Sequence, residues 1–149
     1  MGSDTTYTPR EAFQNIFQDE GIQYPIENEI ELVEYARKGV TKGALKRIAN
    51  YSGLSIKELA SLFPVSERTL HRYQDHEKLS GDLSERTLLL GRIIIKSIEV
   101  FGSKEEMSAW LHGPVYALGH RSPLRLMDSV SGMQLVLDIL GRIEHGVYS

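Results

Sequence analysis

Apolar residues recur along this chain at intervals of three and four, and no stretch alternates apolar with polar positions, so the pattern predicts an all-α fold. A first helix is predicted from Glu11 to Asp19, with Ala12, Phe13, Ile16 and Phe17 on one face and Gly21 as its stop. Pro25 marks a connector. Glu29 to Lys38 carries Ile30, Val33 and Ala36 or Arg37 on its predicted inner face, and a third helix from Thr41 carries Leu45, Ile48 and Ala49 before Gly53. Ser55 and Glu58 have capping-box spacing, so a short helix starts there. Pro64 stops it, and Ser66 caps a further helix predicted to run to about His76.

From Ser84 to Phe101 the polar positions Glu85, Arg92, Lys96 and Glu99 form one narrow stripe, and Leu88, Leu89, Leu90, Ile93, Ile94, Ile95, Ile98 and Phe101 make up most of the remainder. A helix apolar nearly all round is buried, which makes this the central helix. Ser103 with Glu106 opens the next helix, holding Met107, Trp110 and Leu111, and Gly113-Pro114 closes it; Trp110 is read as a core residue. Ser122-Pro123 starts one more turn. Ser131 with Gln134 is read as a third capping box, before a last helix whose stripe is Met133, Val136, Leu137, Leu140 and Ile143.

Within this series the segment "IKELASLFPVSERTLHRY", Ile56 to Tyr73, meets the physical needs of a helix-turn-helix. Ala60 is small where a second helix must cross, Val65 sits under the turn, and Leu70 with Tyr73 is the expected buried pair. Glu67, Arg68, His71 and Arg72 face outward. The pattern resembles that of phage-repressor-like regulators, with Pro64 in place of their turn glycine; proline cannot adopt a positive φ, so a different turn shape is expected. Candidate DNA contacts are Arg68 and Arg72 toward guanine edges or phosphates, Ser66, Thr69 and His71 on the same helix, and Lys57 toward backbone phosphate. One short reading helix binds weakly, so a homodimer on paired half-sites is expected, with Phe13, Ile16 and Phe17 of the first helix as a candidate dimer surface.

Charge sharpens this picture. The net charge of −3 hides eight acids against Arg10 alone up to Tyr35, nine bases against four acids from Arg37 to Lys78, and seven bases against eight acids thereafter. Only the middle is suited to a polyanion. Cysteine is absent, which removes disulfides and thiolate chemistry. The five histidines include no pair at the i, i+4 spacing of a helical metal site, and there is no phosphate-cradling glycine loop or nucleophile elbow. No enzyme, metal or cofactor is expected. Charges interrupt the longest apolar run, and no basic leader precedes an apolar one, so a cytoplasmic protein without a membrane span is expected.

The second half carries a more specific resemblance. Trp110-Leu111, Pro114, Ala117-Leu118-Gly119, Ser122-Pro123-Leu124, Gly132 and the closing Arg142-Ile143-Glu144-His145-Gly146-Val147-Tyr148 resemble the toxin-binding domain of Xre/MbcA/ParS-type antitoxins. His120-Arg121 departs from it, since related sequences often have small or polar residues there. The resemblance implies a protein partner, a RES-class toxin that attacks NAD, silenced by blocking of its active site. It also implies repression of the chain's own operon through double-stranded operator DNA, with the homodimer inside a larger toxin-antitoxin complex. The expected organisation is an N-terminal helix and connector over 1–28, a helix-turn-helix DNA-binding domain over 29–82 and a small helical toxin-binding domain over 83–149. Candidate toxin contacts are Arg142, Glu144, His145, Gly146, Val147, Tyr148 and Ser149. Gly146 permits a left-handed turn that throws the last three residues clear of the helix, and Glu144 interrupts an apolar line, which suggests a charge satisfied by a partner. The alternative is a helix-turn-helix repressor whose last domain only dimerises or senses a ligand, with no toxin.

Overall fold

The computed structural model describes residues 8–26 and 28–146. Among these, regular structure is helical: α1 (Pro9–Ile16), α2 (Glu29–Lys38), α3 (Lys42–Ser52), α4 (Ile56–Ala60), α5 (Glu67–Arg72), α6 (Gly81–Phe101), α7 (Lys104–His112), α8 (Pro123–Leu126) and α9 (Val130–Glu144), with a 3-10 turn at Tyr116–Leu118. No helix among them is long and apolar enough to cross a membrane. Every α-helix begins at a Ser, Thr or Asn whose side chain accepts a first-turn N–H, and Ser55 with Glu58 forms the full reciprocal box at α4.

Helix α6 is the axis, packed by α9, α2, α1, α3 and α7. Leu88, Leu89, Leu90, Ile93 and Ile94 have no exposed surface, as expected of a helix apolar nearly all round. Two of its buried hydroxyls return to the helix itself: Thr87 donates to the Leu83 carbonyl and Ser97 to that of Ile93, each at 2.7 Å. Two glycines permit close approach. A Cβ on Gly91 would stand 2.5 Å from the Phe17 ring, and one on Gly132 would overlap the Leu126 carbonyl oxygen outright.

Several expectations are corrected. Helix α1 ends at Ile16, because Phe17 leaves the helical region and Asp19 and Gly21 are left-handed. Phe13, Ile16 and Phe17 are buried in the chain's own core, so that face is no dimer surface. On α2 the inner residues are Leu32 and Ala36, while Ile30 and Val33 face outward. Both sets share Ala36 and helical spacing, so periodicity alone did not fix the rotation; the pair of Glu29 with Arg92 of α6, at 3.0 Å, accompanies the observed one. Helix α5 stops at Arg72 rather than His76, leaving Tyr73 extended and half-buried. The next segment gives its carbonyls to the start of α3: Lys42 N–H donates to Glu77 O at 3.0 Å and Gly43 N–H to Asp75 O at 2.9 Å.

Helix α6 starts at Gly81, capped by Ser80, and Ser84 is instead buried, donating to Leu79 O and accepting from Val40 N–H. Helix α9 is capped by Ser129, two residues before the expected Ser131, which places Gly132 in the first turn against the Leu126 carbonyl. Ile139 joins its buried stripe, while Leu137 and Ile143 are half-buried. Trp110 is half-buried rather than core, its ring 5.4 Å from that of Phe101.

Candidate nucleic-acid interface and toxin-binding half

Helices α4 and α5 meet across Ser61 to Ser66. The turn is closed by Leu62 N–H to Leu59 O at 3.0 Å and Phe63 N–H to Ala60 O at 3.1 Å, and no residue in it has a positive φ, which suits proline at position 64. Arg86 of α6 holds it from behind, donating to Leu62 O at 3.0 Å and to Asp128 O at 2.7 Å. Ala60 is buried at the crossing, and Leu70 is the buried residue of α5.

The outward face of α5 is as expected in position but not in partners. Arg68 and Arg72 are exposed and make no hydrogen bond or ion pair with any described residue. His71 lies 3.6 Å from Glu67 one turn earlier. The Ser66 hydroxyl accepts from Thr69 N–H at 3.1 Å and lies 3.0 Å from the Thr69 hydroxyl, so both cap the helix start. Lys57 is exposed on α4.

The basic excess of the middle segment is partly consumed inside the fold. Lys42 donates to Leu70 O and Tyr73 O, Lys46 pairs with Asp75, Arg47 donates to Ile16 O and pairs with Glu20, and Lys78 donates to Lys38 O. The cations left outward therefore concentrate on Lys57, Arg68 and Arg72 of the helix-turn-helix, with Arg37 and Lys38 on α2.

At the other end, α9 finishes at Glu144, and Gly146 adopts the left-handed conformation expected of it, φ +75°. Arg142 and His145 are exposed. Glu144 is exposed and already has a charge partner within the chain: Lys96 of α6 donates to its carboxylate at 2.5 Å and also reaches Glu99 at 3.7 Å. The candidate contacts Val147, Tyr148 and Ser149 lie outside the described residues.

A clasp joins the two halves. His112, at the end of α7, directs one ring nitrogen to Ser108 O at 2.8 Å and the other to the Glu58 carboxylate of α4 at 2.7 Å. Acceptors at both nitrogens favour the imidazolium, so the backbone hydrogen bond to Ser108, followed by that to Glu58, raises the His112 pKa above its ordinary 6.5. The Glu58 carboxylate is held below its usual value, chiefly by the Ser55 backbone N–H and secondarily by His112. Sequence reasoning found Glu58 as a cap but missed its partner 54 positions away. Arg86 was also missed, although a cation on a helix so apolar was the available signal.

The fold is thus a helix-turn-helix with outward cations on its second helix, joined through one shared helix to a compact helical half. Residues 31–92 match the antitoxin Xre-like helix-turn-helix domain, and residues 97–146 match the antitoxin Xre/MbcA/ParS C-terminal toxin-binding domain. The chain is 27% identical over 144 residues to "Antitoxin Xre" of Yersinia enterocolitica serotype O:8 / biotype 1B, covering 95% of this chain and 96% of that protein. It is 25% identical over 130 residues to "Prs ADP-ribosylating antitoxin" of Sphingobium sp. strain YBL2, covering 80% and 82%. Its fold resembles a chain in the crystal structure of the M. tuberculosis MbcT-MbcA toxin-antitoxin complex, with a TM-score of 0.57 at 20% identity, covering 72% of this chain and 96% of that one. The chain belongs to the Xre/MbcA/ParS-type antitoxins. As in that family, its work is binding rather than catalysis.

Proposed function

We propose that this antitoxin neutralises a RES-class toxin by seating the end of α9 and the residues after it in the toxin's NAD-handling cleft, and that as a homodimer it represses its own operon through α5. The observation that carries the toxin reading is the end of α9. Gly146 turns left-handed just after a last turn that exposes Arg142 and His145, inside the stretch matching a toxin-binding domain. Arg142 is free to pair with acidic groups of a cleft, and Tyr148 would bury an aromatic ring there. Because Lys96 already neutralises Glu144, the proposed role of Glu144 is to fix the last turn in place, with Arg142 as the charged contact. DNA reading is supported by Arg68 and Arg72, whose side chains have no other work in the described chain.

The test is inhibition of NAD turnover by a RES-class toxin co-expressed with this chain. Removing Val147 to Ser149 is expected to leave melting and DNA binding nearly unchanged and to weaken inhibition by about 2 kcal/mol or more, the scale of an interface anchor. A truncated chain that inhibits as tightly as the full one moves the inhibitory contact off the tail and onto the helix faces before it.

A further inference from the structure

Lys42 belongs by sequence to the basic segment, yet its side chain turns inward to the far end of the candidate reading helix. Its Nζ donates to Leu70 O at 2.7 Å and to Tyr73 O at 3.3 Å, the carbonyls where α5 ends. Leu70 O already accepts from Tyr73 N–H at 3.2 Å, so Lys42 is a second donor to it, and a cation there also meets the negative end of the helix dipole. Helix α5 has six residues and one buried side chain, Leu70, too little to fix its own direction. An open groove of about 340 Å³, lined by Leu45, Ile56, Leu59, Leu70 and Tyr73, lies among α3, α4 and α5. Lys42 lines that groove and reaches α5 from the first turn of α3, where its own N–H and that of Gly43 already hold the segment after α5 through Glu77 O and Asp75 O.

We propose that Lys42 is a positioning residue for DNA reading: it touches no DNA and sets the angle at which α5 presents Arg68 and Arg72 to the groove. The proposal rests on the reading of α5 as the DNA-contacting helix. Holding the arginines in register is what converts them from phosphate contacts, available at many angles, into base contacts that need one. Losing the tether should therefore reduce sequence preference and leave sequence-independent attraction intact.

The experiment measures binding of the full-length chain to the fragment upstream of its own coding sequence and to a random fragment of equal length, over a range of salt concentrations. Lys42→Met is expected to bind the upstream fragment roughly tenfold more weakly, the scale of losing hydrogen bonds to a charged donor, with the random fragment unaffected. The slope of log K against log salt should stay at the wild-type value, since no phosphate contact is removed. Lys42→Arg, which keeps a cationic donor, should recover most of the preference. If Lys42→Met lowers the melting temperature by more than a few degrees, Lys42→Gln takes its place with the same expected result. Unchanged binding overturns the proposal. So does equal weakening on both fragments with the slope reduced by about one, which would make Lys42 a phosphate contact. A wild-type chain with no preference for the upstream fragment removes the DNA reading itself, and this proposal with it.

Discussion

Helices α5 and α9 carry the two candidate surfaces of this antitoxin, and they are built in opposite ways. Helix α9 has fifteen residues, buries Met133, Val136 and Leu140 in the core built on α6, and has the acidic group of its last turn paired with Lys96. Helix α5 has six residues, buries one, and leaves both its arginines without partners while its ends are held from outside by Ser66 and Lys42. The difference separates scaffold from presentation. A helix that packs along its length needs no tether, whereas one that offers its face to a polyanion must be oriented by its neighbours.

The strongest way to break the comparison is at the packing of α9. Gly132→Ala places a methyl group on the Leu126 backbone carbonyl, so α8 and α9 must separate; a loss of roughly 3 kcal/mol or more in denaturant unfolding is expected. Leu70→Ala should cost about 2 to 4 kcal/mol if α5 is coupled to the whole core. Amide exchange would show that loss concentrated in α5 and its flanks, with DNA binding abolished and inhibition of the toxin retained.

A smaller effect is expected at the Glu58–His112 clasp. Because the folded-state pKa of His112 is raised, its stabilisation is fully present below the ordinary 6.5 and is lost as pH rises through the folded value. Because that of Glu58 is lowered, its contribution is present above 4.5 and is lost as pH falls through the folded value. The clasp is thus strongest between those limits, and His112→Gln should flatten the fall in melting temperature on the alkaline side of that window. Smallest of all is Lys96→Met, which breaks a half-exposed pair worth less than about 1 kcal/mol. It should nonetheless loosen the last turn of α9 and weaken toxin inhibition more than it lowers stability.

What the sequence made legible follows the range of the physical signal. Caps act over three residues, so Ser55, Ser66 and Ser103 were found, and the buried face of α6 was plain from its composition. The cap of α9 was misplaced because Ser129 and Ser131 both precede a workable first turn, and only the approach of Gly132 to Leu126 decides between them. Arg68 and Arg72 could be placed outward because Leu70 fixes the opposite face. Lys42 could not be told from a phosphate contact, nor Glu144 from a partner-seeking acid, because their partners are 28 and 48 positions away.

The central claim is that α5 presents its two free arginines to DNA while the second half binds the toxin independently. The most direct measurement is the affinity of Arg68→Ala/Arg72→Ala for the upstream fragment as a function of salt, run beside inhibition of the partner enzyme. The account predicts a loss of about 1 to 3 kcal/mol for each base contact removed, a shallower salt slope for any phosphate contact removed, and undiminished toxin inhibition. Wild-type affinity and slope in the double variant would contradict it.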